Sequence, residues 1–151
     1  MGPIILPKKT NNETILVVDD EPEHIEWLID YIDNNKLHTL VANNVAEAIE
    51  AVNEFKFLGY IVDLNIPMGG WQSVFPAPSP TYDKYMGFYV LKYVRTQGND
   101  GKKVMAYSAH NNEQISSEIR TLYCQYIAKG RVKEFKFGVK GILGLPLDAK
   151  P

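Results

Sequence analysis

One cysteine, Cys124, is all the thiol chemistry the 151-residue chain carries. It can close no intrachain disulfide and build no thiolate cluster, which suits a reducing compartment, so a cytoplasmic location is expected. Leu122, Tyr123 and Tyr126 around it suit a helix side facing the core, so Cys124 reads as structural rather than reactive. Long apolar runs are lacking too. Ile4 to Leu6, between Pro3 and Pro7, is too brief for a membrane span or a signal-peptide core. Charge of one sign is not in excess: sixteen Lys and Arg oppose eighteen Asp and Glu, a net charge of -2. No overall field draws the molecule to nucleic acid or to anionic lipid, and neither is an expected partner. His24, His38 and His110 share no ligand spacing, which argues against zinc. No glycine-rich fingerprint follows the first apolar run, which argues against a dinucleotide enzyme.

What is present is ordinary globular material, with 45% hydrophobic and 23% charged residues. The length suits one core. Ile15-Leu16-Val17-Val18 is continuously apolar and rich in branched residues, as in a strand buried on both faces of a parallel sheet. It ends in Asp19-Asp20-Glu21. After Pro22, the residues Ile25, Leu28, Ile29 and Ile32 recur at helical spacing, up to Asn34-Asn35. Leu37 to Val41 predicts a second strand, Asn43 or Asn44 a cap, and Ala48, Ile49 and Val52 the buried face of a second helix. Tyr60-Ile61-Val62 predicts a third strand ending at Asp63, and Phe88, Leu91, Tyr93 and Val94 a third helix. Val104 to Tyr107 predicts a fourth strand. Ile115, Ile119, Leu122, Tyr126 and Ile127 predict a long fourth helix within an extended region 111–137, and Gly141-Ile142-Leu143 a short fifth strand. Alternating strands and helices predict an α/β, doubly wound parallel sheet with helices on both faces. The last helix is expected to be absent or truncated, with residues 1–13 an N-terminal extension to a domain over 14–151.

In such a sheet, ligands sit beyond the carboxyl ends of the strands, where Asp19, Asp20 and Asp63 all fall. Crowded carboxylates must take up protons or hold a cation, and a hard ion with oxygen ligands, Mg²⁺, fits best. A metal-backed aspartate can also accept a phosphoryl group as an acyl phosphate, and Asp63 is the candidate. Ser108 ends the fourth strand with a hydroxyl donor, and the small Ala109 beside it leaves space for a phosphoryl group; a helix cap is the alternative use of Ser108. A covalent phosphohydrolase would need an acid two residues after Asp63, where the chain has Asn65.

These residues resemble the receiver domains of two-component response regulators, from Thr14 to Pro146. The likeness rests on Ile15 to Glu21, Asp63-Leu64-Asn65-Ile66-Pro67, Met86-Gly87-Phe88 with Val90-Leu91, Ser108-Ala109, and Gly138-Val139 with Ile142 to Pro146. The resemblance implies a flavodoxin-like, five-stranded parallel sheet in the order 2-1-3-4-5. It implies that Asp63 accepts phosphate from a sensor histidine kinase or phosphotransfer protein. Asp20 would bind Mg²⁺ directly, Asp19 mainly through water, and Asn65 through its backbone carbonyl, while Ser108 would hold a phosphoryl oxygen. Such a domain is a signalling phosphoacceptor rather than an enzyme, at most phosphorylating and dephosphorylating itself, and it acts through contacts with an output protein.

The family carries a lysine immediately before a cis-proline. At that place this chain reads Leu145-Pro146, unless a later strand brings in Lys150-Pro151, and Ile142 stands where an aromatic switch residue is usual. The alternative reading is therefore a pseudo-receiver, an interaction module not switched by phosphorylation. An insertion over 69–84, with three prolines and the aromatics Trp71, Phe75 and Tyr82, leaves the sheet beside Asp63 and is expected either to lid the acid pocket or to pack on the body. A basic run through Lys129, Arg131, Lys133, Lys136 and Lys140, opposed by Glu134, reads as a solvated helix face or a dock for an acidic protein.

Overall fold

The computed structural model describes residues 9–72 and 76–144. Five strands, β1 (Lys9–Val18), β2 (His38–Ala42), β3 (Phe55–Asp63), β4 (Val104–Ser108) and β5 (Gln125–Ala128), form one sheet in the order β2-β1-β3-β4-β5. Every pairing is parallel. The helices are α1 (Glu26–Asn34), α2 (Val45–Glu54), α3 (Thr81–Lys84), α4 (Gly87–Thr96), α5 (Glu113–Leu122) and α6 (Val132–Leu143). The flavodoxin-like order expected from the sequence is the order found.

Period-two alternation divides the core. Leu16, Val18, Tyr60, Val62, Val104 and Ala106 face one side, where α2, α4 and α5 bury Val45, Val52, Phe88, Leu91 and Ile115. Ile15, Val17, Ile61, Met105 and Tyr107 face the other, against Leu28 and Ile32 of α1 and Phe135, Val139 and Ile142 of α6. Local chemistry sets the helix ends. Pro22 opens a 3-10 turn leading into α1, and the Asn44 side chain accepts the Glu47 amide at 2.8 Å, so Asn44, not Asn43, caps α2. At Gly87 a Cβ would lie 2.3 Å from the Asp63 carbonyl oxygen and 2.7 Å from Leu64 Cα, so only glycine lets α4 start against the end of β3.

The C-terminal third differs from the sequence expectation. Region 111–137 is not one extended helix: α5 stops at Leu122, Tyr123 adopts left-handed backbone at φ 55°, and the chain turns into β5. Tyr126 and Ile127 continue the helical apolar spacing by coincidence, because each faces a different side of a strand. Residues 141–143, expected as the fifth strand, end α6, and the last helix is present at twelve residues. Its approach to the sheet depends on Gly59 of β3, where a Cβ would stand 2.3 Å from Ile142 Cγ2. The N-terminal boundary also moves, since residues 9–13 belong to β1 and Lys9 to Asn11 pair with Phe55 to Phe57.

Part of the insertion 69–84 packs on the body. Its end forms the single-turn α3; Tyr82 is 1% exposed, with its ring 5.4 Å from Phe88 and 5.3 Å from Tyr89. Trp71 meets Tyr89 edge-on at 5.6 Å, and Ser79 Oγ donates to Glu118 of α5 at 2.6 Å. Of the three aromatics considered for a lid, Tyr82 is thus a core residue, Trp71 lies against α4, and Phe75 lies outside the described residues. Burial of large rings outweighs exposure of them over a polar pocket.

Candidate functional site

The parallel register sets the strand ends level. Val18 aligns with Val62, Asp63 with Tyr107, and Ser108 with Ala128, so the residues that follow β1, β3, β4 and β5 emerge along one rim. Asp19, Asp20 and Asp63 offer carboxylate oxygens that all lie within 4.8 Å of one another. Asp19 and Asp63 are buried, at 2% and 5% exposure, while Asp20 faces solvent. Each buried acid is aimed by a short turn: Asp19 Oδ1 accepts the Glu21 amide at 2.8 Å and Asp63 Oδ1 the Asn65 amide at 2.9 Å. Pocket walls beside them come from Asp20, Asn65, Ile66, Pro67, Lys84 and Met86, around a cavity of about 330 Å³.

The cation at this rim is Lys129, the residue immediately after β5. Its Nζ donates to Asp63 Oδ2 at 2.8 Å and lies 3.7 Å from Asp19 Oδ2. The Lys129 amide donates to the Ser108 carbonyl at 2.8 Å, which continues the β4–β5 pairing past the strand end and fixes the side chain over the acids. Lys129, which the sequence places only in the basic run, is thus the cation that pairs with Asp63, while Leu145 and Pro146, considered for the altered lysine position, lie outside the described residues. The residue after Lys129 is Gly130, at φ 89°, and no cis peptide occurs among the described residues. Ile142 is likewise removed from any switch position, being a buried residue of α6. Three residues before Lys129, Tyr126 stands on β5 with its hydroxyl donating to the His110 carbonyl.

Sequence reasoning missed Lys129 because a four-residue strand, half-buried throughout, was absorbed into the preceding helix. The signal that could have found it is Tyr126-Ile127-Ala128 followed by Lys129-Gly130: a short β-prone run, then a cation, then a glycine turn.

The electrostatics follow from burial. Desolvation pushes the Asp19 carboxyl above the usual carboxylate range, helped by the charges of Asp63 and Asp20 and opposed by the Glu21 amide and Lys129. Burial alone would lower Lys129, but its hydrogen bond to Asp63 and the charges of Asp63 and Asp19 outweigh this and raise it. Two like charges about 4 Å apart repel by roughly 4 kcal/mol at an effective dielectric near 20. With all three acids ionised, the one lysine ion-paired to them, Lys129, leaves the cluster with two negative charges in excess. Asp19 Oδ2 is buried and has no hydrogen-bond partner. An orphaned carboxylate oxygen facing two further carboxylates is a donor set that suits a hard divalent ion such as Mg²⁺.

Ser108 is fully buried and its Oγ accepts the His110 amide at 3.0 Å, which leaves its proton available as a donor. Ala109 is exposed beside it. His110 contacts the Tyr85 ring at 5.4 Å rather than the acids. Cys124, half-buried between α5 and β5, has its thiol pushed up to about 12 by burial, which disfavours the thiolate.

No family model matches the sequence, and no curated protein matches it. Solved structures do. The response regulator TrrA from Thermotoga maritima, determined in complex with Mg²⁺ and BeF, superposes with TM-score 0.62 at 22% identity, covering 86% of this chain and 98% of that one. The HemR receiver domain from Leptospira biflexa, in its non-phosphorylated form, gives 0.67 at 20% identity over 91% and 97%. The chemotaxis protein CheY4 from Vibrio cholerae gives 0.62 at 16% identity over 90% and 100%. At these identities the likeness concerns the fold, and it agrees with the sheet order and the two helix layers: the chain has the fold of response regulator receiver domains.

Proposed function

We propose that this protein is a phosphoryl-accepting receiver in a two-component pathway, phosphorylated on Asp63 and acting through protein contacts. The observation that carries the reading is the ion pair of Lys129 with Asp63, set beside Asp19 and Asp20 at the strand ends of a receiver fold. Asp19, Asp20, Asp63 and the Asn65 backbone carbonyl would hold Mg²⁺, as a neighbour of the same fold does together with a BeF group. A bound Mg²⁺ would supply neutralising charge for the oxygens of an incoming phosphoryl group.

The chain's own residues do the rest. A carboxylate oxygen of Asp63 attacks the phosphorus of a phosphohistidine donor; the new P–O bond forms as the P–N bond to the donor imidazole breaks, and the imidazole keeps the electron pair. Lys129 Nζ is already directed at that carboxylate and can pass to a phosphoryl oxygen as the charge moves outward. Ser108, buried next door, donates its hydroxyl to another oxygen, and Ala109 leaves the room. The donor is a sensor histidine kinase or a phosphotransfer protein, and the product signals to an output protein. The pseudo-receiver alternative is drawn from Leu145, Ile142 and the insertions; the Lys129–Asp63 ion pair favours the phosphoacceptor reading over it.

The test is incubation with acetyl phosphate and Mg²⁺. The expected result is a hydroxylamine-sensitive phosphoryl adduct, missing in Asp63→Asn and without Mg²⁺. No adduct under saturating donor would overturn the reading.

A further inference from the structure

Two grooves outside the acid rim carry opposite charge with the same spacing. On one face of the sheet, α1 and α6 enclose a groove of about 520 Å³ lined by Tyr31, Asn35, Lys133, Lys136, Phe137 and Lys140. Among the described residues its lining contains three lysines, one of them, Lys136, over the Tyr31 ring at 5.2 Å, and no carboxylate, although the whole chain is net negative. Glu134 lines the adjoining hollow rather than this one. Phe137 is 50% exposed at the groove's edge, one of few large apolar side chains left that open. On the opposite face, α2 and the outer strand β2 enclose a hollow of about 190 Å³ whose charged lining is Glu47, Glu50 and Glu54 and whose apolar lining includes Leu40, Ala51 and Phe55. Leu40 is 40% exposed there. The lysines sit at steps of three and four along α6, and the glutamates at steps of three and four along α2. Each triad therefore spans about 10 Å of helix.

We infer that these are the two halves of a self-interaction surface, in which α6 of one copy lies against the α2 edge of a second copy, Lys133, Lys136 and Lys140 facing Glu47, Glu50 and Glu54, with Phe137 against Leu40 and Phe55. The occupant is a second copy because the complementary charge, spacing and exposed apolar groups are present on this chain itself. The two helices lie on opposite faces of the sheet, so one molecule cannot satisfy the pairing alone. The contact is heterologous: each copy donates α6 to one neighbour and α2 to another, giving chains or rings rather than a two-fold dimer. Nothing in it depends on phosphorylation of Asp63.

Analytical ultracentrifugation over a concentration series at about 50 mM and about 500 mM salt tests it, since screening at the higher salt acts within a few ångströms. The expected result is a mass that rises with concentration at low salt and returns to a single chain at high salt. Lys133→Gln/Lys136→Gln/Lys140→Gln and Glu50→Gln/Glu54→Gln should each weaken association about tenfold or more. Glu47 is left unchanged because it helps cap α2 through Asn44. Each variant keeps the half that the other lacks, so an equimolar mixture should associate and stop at two chains. Far-UV circular dichroism confirms that both fold, and either variant tests the contact if the other does not. Wild type that stays a single chain at low salt overturns the inference. So do folded variants that associate as wild type does, or a mixture of folded variants that remains single chains.

Discussion

At the rim, two residues govern the balance of charge. Asp19 is buried, its Oδ2 has no hydrogen-bond partner among the described residues and only the Lys129 charge 3.7 Å away, and its carboxyl pKa is raised. Its folded value lies above the unfolded one, so the native state binds the extra proton between the two, and stability of the metal-free protein rises as pH falls through that window. Asp19→Asn should remove this slope and raise metal-free stability at neutral pH, while losing the stabilisation by Mg²⁺; thermal melts across pH, with Mg²⁺ and with chelator, check both. Lys129 acts in the other direction. Its side chain is 28% exposed and bonded to a buried acid, so Lys129→Met should cost about 1–3 kcal/mol without metal, and less in millimolar Mg²⁺, which takes over the compensation. Urea unfolding of the variant reads this directly. A neutral effect in chelator would show that the ion pair does not hold Asp63.

Individual elements are where sequence and structure part. Strands β1, β3 and β4 announce themselves because each contains an apolar run leading directly into an acid or a serine, and their carboxyl ends carried Asp19, Asp20, Asp63 and Ser108 to the right rim. Strand β5 does not, because QYIA is short and its neighbours continue a helical rhythm, and the loss of β5 hid Lys129 and turned α6 into a strand. The deciding contacts are tertiary: Ile142 fits only over Gly59, and Gly138 lets α6 approach Met105 and Gln125, where a Cβ would lie 2.6 Å from Met105 Cε. Gly59→Ala should accordingly destabilise by roughly 1–3 kcal/mol through overpacking, and Ile142→Ala, which removes the clashing Cγ2, should make the double variant less destabilised than the sum of the two single changes; chemical denaturation of the single and double variants measures the coupling. The insertion makes a parallel point. Its prolines predicted irregular chain, but not that Tyr82 would plug the space between α3 and α4. Tyr82→Ala should cost about 3–5 kcal/mol, far more than a surface aromatic would, and leave the Mg²⁺ affinity of the folded protein unchanged.

For the molecule as a whole, the parallel sheet is what turns scattered letters into a site. Four strand ends in register bring acids at the ends of β1 and β3, a hydroxyl from β4 and the cation after β5 to one rim of the sheet, though they are up to 110 residues apart in sequence. Trapping the acyl phosphate tests this most directly. After incubation with acetyl phosphate and Mg²⁺, borohydride reduction converts a phosphorylated aspartate to homoserine, which peptide mass spectrometry locates. Homoserine at position 63, and its loss in Lys129→Met or Asp20→Asn, is the predicted result; an unmodified Asp63, or homoserine at another acid, would contradict it.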